Sequence, residues 1–167
     1  MTTKRYPVND ILSWANRSPA ELQAIARGFF VQVSHSQAPN GPMRTADGWN
    51  FSKTMELSTW VMPVTRSPTS EHAFVSIGRI DGNDVVLPDV TVSKFHALVR
   101  DVDGYQVLLD GDSHNGTFVN DVRVPGRRSG APPIPLRNGD AVRFGSVQTT
   151  YVDGNGLQAL LKRLAVP

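Results

Sequence analysis

The chain has 167 residues, 40% of them apolar, which suits one domain with extensions around a single sizeable core. Seventeen basic against 15 acidic residues leave a net charge of +2, too close to balance for a general nucleic-acid or membrane binder, so any anion recognition is expected to be local. There is no cysteine for a disulfide or thiolate metal site, no apolar signal core in Met1–Asp10, and no run of about 18 apolar residues to span a bilayer; the expectation is a soluble cytoplasmic protein.

From Tyr6 to about Phe30 the spacing predicts two short helices. Ile11, Leu12, Trp14 and Ala15 mark the first, and Leu22, Ile25, Ala26 and Phe29 the second. Ser18-Pro19-Ala20-Glu21 reads as a capping box with proline at the first helical position, and Gly28 is the expected terminator. A Ser, Asn, Gly and Pro-rich stretch over residues 34–53 reads as a loop or linker. From Glu56 the period becomes strand-like: Glu56–Val64, Ala73–Ile77, Val85–Leu87, His96–Arg100, Tyr105–Leu109, Thr117–Val119, Val122–Val124, Ala141–Phe144 and Val147–Val152. Asp81-Gly82, Asp103-Gly104, Asp110-Gly111 and Asn138-Gly139 separate several of them. Short strands without intervening helices imply a mainly β protein, an antiparallel sandwich or barrel. Leu157, Leu160, Leu161 and Leu164 then predict an amphipathic C-terminal helix that packs on the sandwich. The expected division is therefore 1–53, a helical extension and linker; 54–153, the β domain; and 154–167, the helix.

Chemistry concentrates between Gly78 and Gly116, where Arg79, Ser93 and Asn115 each stand at the edge of an apolar run. A cation, a hydroxyl and an amide on neighbouring loops, with backbone N–H groups freed by glycine, suit a phosphate dianion attached to a peptide. No nucleophile elbow or phosphate-binding P-loop occurs, and Ser93 and His96 at odd spacing beside a strand should face opposite ways, so an enzyme is not expected. His35, His72, His96 and His114 are scattered, so neither a metal nor another cofactor is expected. The basic loop bearing Arg123, Arg127 and Arg128 reads as a solvated, flexible surface; it lacks the interleaved aromatics of a nucleic-acid binder.

Residues from about Glu56 to Val152 resemble the forkhead-associated (FHA) domain, a phosphothreonine-peptide-binding β-sandwich, over a little more than half the chain. The matching elements are Gly78-Arg79, Asn83-Asp84-Val85-Val86-Leu87, Ser93 with His96, Asn115-Gly116-Thr117-Phe118-Val119-Asn120, and Leu136 with Asn138-Gly139-Asp140 leading to Phe144-Gly145. The resemblance implies that Arg79 forks onto the phosphate, that Ser93 gives its hydroxyl and backbone N–H to a second oxygen, and that Lys94 adds rim charge. It implies that Asn115 holds the peptide backbone, while Gly78, His96 and Gly116 support the loops. Thr91 and Val92 occupy positions where family members read a residue past the phosphothreonine. A small niche for the threonine methyl, worth about 1 kcal/mol by its area, would select Thr over Ser. His114 departs from the Thr or Ser common at its position; an imidazole there can donate one hydrogen bond, or two when protonated.

The implied protein is a non-catalytic adaptor or regulatory module of a kind similar to bacterial signalling proteins. Its partner is a phosphothreonine protein downstream of a Ser/Thr protein kinase, with no nucleic acid and no membrane. Two alternatives stand beside it: a phosphate-independent interaction domain, and a self-association switch through a phosphorylated Thr2, Thr3, Thr45 or Thr54.

Overall fold

The computed structural model describes residues 5–33 and 59–165. The expected linker at 34–53, the start of the first expected strand at 56–58, and Thr2, Thr3, Thr45 and Thr54 lie outside them. In chain order the elements are β1 (Tyr6–Pro7), a 3-10 helix (Val8–Asn16), α1 (Pro19–Ile25), β2 (Phe29–Val33), β3 (Thr59–Pro63), β4 (Val75–Gly78) and β5 (Val85–Val86). They continue with β6 (Ala97–Val102), β7 (Tyr105–Asp110), β8 (Thr117–Val119), β9 (Val122–Arg123), β10 (Ile134–Pro135), β11 (Ala141–Phe144), β12 (Val147–Val152) and α2 (Gly154–Leu164).

Among the described residues two sheets form, in the orders β1-β3-β2-β12-β11-β8-β9 and β10-β7-β6-β4-β5. Their pairings are antiparallel except β4 with β5, which run parallel with Ile77 opposite Val85. This is the mainly β sandwich expected, now with one mixed sheet. Alternate residues from both sheets, among them Phe30, Met62, Ile77, Leu108, Val142 and Phe144, form the core between them. The Phe30 ring meets those of Phe144 and Tyr151 edge-on, at 5.3 and 5.9 Å.

A second apolar layer lies on the outer face of the larger sheet. Val8, Ile11 and Leu22 from the N-terminal helices and Leu157 and Leu161 from α2 pack there against Phe29, Val31, Val61 and Val152. The C-terminal helix thus joins the N-terminal ones to cover the sandwich. Ser18 and Glu21 form the expected capping box: the Ser18 N–H donates to Glu21 Oε2 at 2.7 Å and the Glu21 N–H to Ser18 Oγ at 3.3 Å. Val8, Ile11 and Trp14 recur every third residue, the period of the 3-10 helix that they form.

Three expectations are corrected. Phe29, read as helical, opens β2, which pairs with β3 and β12 inside the larger sheet. Burial on both faces makes Phe29-Phe30-Val31 a continuous apolar run, which periodicity cannot distinguish from a buried helical turn. The sheet therefore crosses the division expected at residue 53. Gly28 does not terminate α1, which gives way at extended Ala26; it lies against the Tyr151 ring, where a Cβ would collide. Strand β10 was not anticipated because its prolines argue against a strand, yet it is an edge strand, where a missing N–H costs no ladder bond.

Candidate functional site

The polar residues singled out from the sequence come together on the loops β4–β5, β5–β6 and β7–β8, which are cross-tied by their own hydrogen bonds. Gly78 ends β4 because nothing larger fits: a Cβ there would meet the Lys94 carbonyl and lie 2.7 Å from Asn83 Nδ2. That amide nitrogen joins two loops by donating to the carbonyls of Ile80 at 2.9 Å and Lys94 at 2.8 Å. The Asp84 carboxylate accepts from the backbone of Ser67 and Ser76 and from the Ser76 hydroxyl, which fixes the base of the β4–β5 loop.

Arg79 follows Gly78 and is exposed. Its backbone N–H donates to the Ser93 carbonyl at 2.9 Å, and its Nε donates to the Val92 carbonyl at 3.1 Å. The guanidinium is thus anchored by one edge. Its terminal nitrogens are left over, and no carboxylate forms an ion pair with it among the described residues.

Ser93 and His96 are not related by strand alternation, and it is the Ser93 backbone that meets the His96 ring. β6 starts only at Ala97, so both lie in a turn where the two-residue alternation does not hold. The Ser93 N–H donates to His96 Nδ1 at 2.9 Å, and His96 Nε2 lies 3.1 Å from the Gly116 carbonyl. An accepting Nδ1 places the proton on Nε2, so the ring is neutral and spans two loops. Burial, complete for this side chain, lowers the His96 pKa against the opposing pull of the Gly116 carbonyl and the Asp110 charge. The Ser93 N–H expected on the phosphate is therefore already used, a correction to that role. The Ser93 hydroxyl accepts the His114 N–H at 3.0 Å and keeps its own proton to donate.

Asn115 donates through Nδ2 to the Thr91 carbonyl at 2.8 Å, which leaves Oδ1 as an acceptor. Gly116 has φ +82 and donates to Ser113 Oγ at 3.0 Å. Below it the buried Asp110 carboxylate takes the Ser113 N–H, the Ser113 hydroxyl and the Thr117 hydroxyl at 2.6–2.9 Å. The side chains of Lys94 and His114 are exposed at the rim without a hydrogen bond among the described residues.

The pair assigned to peptide reading does not hold up. Val92 is 1% exposed and belongs to the core. The Thr91 hydroxyl is spent inside the loop: it donates to Asp89 Oδ1 at 2.6 Å and accepts the Ser146 N–H at 2.9 Å. Those Thr91 hydrogen bonds hold the Asp89 carboxyl below its usual pKa. The accessible neighbour is Val90, 90% exposed, whose place between Asp89 and Thr91 gave no sequence signal. The basic loop is not free either, since Arg127 and Arg128 share Asp112 at 3.2 and 3.3 Å and Arg127 stacks over Phe95. Among the described residues no group of three or more His, Cys, Asp or Glu could hold a metal ion. No helix there is long and apolar enough to cross a membrane.

The FHA domain family matches residues 75–145. An ABC transporter ATP-binding/permease protein of Mycobacterium tuberculosis is 38% identical over 150 residues, 90% of this chain and 16% of that protein. The glycogen accumulation regulator GarA of Mycolicibacterium smegmatis is 33% identical over 100 residues, 56% of this chain and 59% of the regulator. The chain thus spans less than two thirds of either relative. Among solved structures, the FHA domain of the CT664 protein from Chlamydia trachomatis superposes with a TM-score of 0.48 at 17% identity, over 75% of this chain and 97% of that one.

Proposed function

We infer from the FHA domain that this chain carries over residues 75–145 that the protein is a non-catalytic adaptor or regulatory module. It binds phosphothreonine in a partner protein and acts downstream of a Ser/Thr protein kinase. The regulatory class also agrees with the name of the relative GarA; the targets of the relatives are not carried over.

One observation carries the reading. Arg79 projects an anchored guanidinium, without a counter-charge among the described residues, on the same cross-tied loops as the Ser93 hydroxyl and the Asn115 amide. A phosphate monoester offers what these groups lack, namely oxygens for two guanidinium N–H groups and for the hydroxyl proton. Asn115 Oδ1 can accept a backbone N–H of the attached peptide and so set its direction. Because the loops are tied before ligand arrives, little ordering cost accompanies binding.

The test is calorimetry on a phosphothreonine peptide selected from a library and on its unphosphorylated form. The phosphorylated peptide should bind in the micromolar range, near about −8 kcal/mol, and the other should show no measurable heat. Arg79→Ala should cost about 2–5 kcal/mol, since the phosphate then enters a site without its main counter-charge. Equal affinity for both forms would favour a phosphate-independent interaction domain instead.

A further inference from the structure

Beside the loops just described, one face of the larger sheet holds two arginines on one aromatic ring. Phe118 on β8 stands in register with Arg123 on β9 and with Arg143 on β11, so all three side chains leave the sheet on the same face. The Arg143 guanidinium lies 3.9 Å from the Phe118 ring centre and that of Arg123 lies 6.0 Å from it. Among the described residues neither cation has a carboxylate within ion-pair distance, whereas Arg127 and Arg128 nearby do. The neighbouring Asp140 carboxylate is itself taken up by Asn120 and by the Arg137 N–H.

Two like charges drawn to one ring repel each other, and the ring face offsets this only in part. An incoming anion relieves that repulsion and finds both donors already positioned. The position is equally specific. Arg143 Nη1 donates to the Gly145 carbonyl at 2.8 Å, and the Gly145 N–H donates to the Gly116 carbonyl at 3.0 Å. A Cβ on Gly116 would lie 3.1 Å from the Phe118 ring and 3.5 Å from the Arg123 guanidinium carbon. The arginine pair therefore begins where the Asn115 loop ends. The helical layer covers this sheet at Phe29, Val31, Val61 and Val152 and does not include Phe118, beside which Arg123 is exposed and Arg143 half-buried among the described residues.

We propose that Arg123, Phe118 and Arg143 form a second, anion-reading subsite that takes acidic residues of the same partner segment on one flank of its phosphothreonine. The proposal rests on the phosphothreonine reading above. Asn115 and Phe118 are three residues apart, at most about 10 Å of extended chain, so the acidic residues lie within a few positions of the phosphothreonine. Carboxylates fit because guanidinium and carboxylate pair through parallel N–H···O bonds, and the phenyl ring supports the aliphatic part of a Glu side chain.

The test uses the full chain and four alanine-based peptides with one central phosphothreonine: neutral on both flanks, three glutamates before it, three glutamates after it, and a second phosphothreonine in place of the glutamates. One glutamate flank, and not the other, should tighten binding about fivefold to tenfold over the neutral peptide, and the gain should shrink in high salt. Arg123→Gln and Arg143→Gln should each remove most of that gain while affinity for the neutral phosphopeptide stays unchanged. Arg123 is exposed at the sheet edge, so Arg123→Gln keeps the test decisive if Arg143→Gln disturbs the fold. Equal affinity for neutral and acidic peptides, a gain that survives both substitutions, or a gain only with the second phosphate would overturn the proposal. Binding of the neutral phosphopeptide that Arg79→Ala abolishes upholds the underlying reading in each of those cases. If no phosphopeptide binds at all, the underlying reading fails and this subsite with it.

Discussion

The imidazole Nδ1 of His96 accepts the backbone N–H of Ser93 at 2.9 Å, so a fully buried ring holds the loop whose hydroxyl is assigned to the phosphate. The other nitrogen reaches the Gly116 carbonyl at 3.1 Å, which ties the same ring to the Asn115 loop. His96→Ala should therefore lower both melting temperature and phosphopeptide affinity, with a stability loss of about 1–3 kcal/mol for the unpaired groups left behind. An unchanged melt with abolished binding would instead make His96 a ligand contact.

Acid should act through the same ring. Burial sets the folded pKa of His96 below its unfolded value of about 6.5, so folding favours the neutral form. That contribution is whole above pH of about 6.5 and is lost as pH falls from there through the folded pKa. Protonated Nδ1 would also confront the Ser93 N–H with a second donor. Denaturant midpoints measured between about pH 7.5 and pH 5 should decline, and the decline should be shallower in His96→Ala.

A lysine should not replace Arg79. Its Nε donates to the Val92 carbonyl, and only a planar fork can keep that anchor while offering two further nitrogens to phosphate. Arg79→Lys is expected to lose at least about 1.4 kcal/mol, tenfold in affinity, with melting temperature nearly unchanged because the side chain is exposed. Titration of the phosphopeptide against this variant checks it; wild-type affinity would show that charge alone suffices.

Asn115→Ala and Ser93→Ala should separate from His96→Ala by their small stability cost. Asn115 gives up one exposed bond to the Thr91 carbonyl, and Ser93 gives up its acceptance of the exposed His114 N–H, each worth about 1 kcal/mol or less. Their affinity losses should exceed those stability losses. Paired thermal melts and calorimetry decide the point, and a large drop in melting temperature for either would recast it as a structural residue.

The N-terminal segment should prove inseparable from the sandwich. Removing residues 1–53 deletes β2 from between β3 and β12 and takes Phe30 from the core. Phe30→Ala alone is expected to cost about 3–5 kcal/mol. A fragment beginning at residue 54 should give no cooperative melt; a fragment that melts like the full chain would show that the sheet closes without β2.

What rests on short-range chemistry could be read from the order of residues alone. The Ser18–Glu21 capping box, the strand runs from Ala73 to Val152 and the α2 leucines each follow from residues a few positions apart, whose spacing reflects one local period. Arg79, Ser93 and Asn115 were legible as a set because each breaks an apolar run at a loop. Tertiary structure alone decided how shared groups are allotted. The Ser93 N–H could have gone to a ligand, but buried His96 takes it, because a buried acceptor must be satisfied. Val92 and Val90 are the same residue two positions apart, yet one is buried and the other exposed, since an irregular loop has no period to read. Phe29–Val33 became a strand because two separate apolar layers bury its two faces, a long-range circumstance that no window of neighbouring residues contains. The Arg123–Phe118–Arg143 grouping likewise depends on strand register, which brings Arg143 of β11 beside the β8–β9 hairpin that carries Phe118 and Arg123.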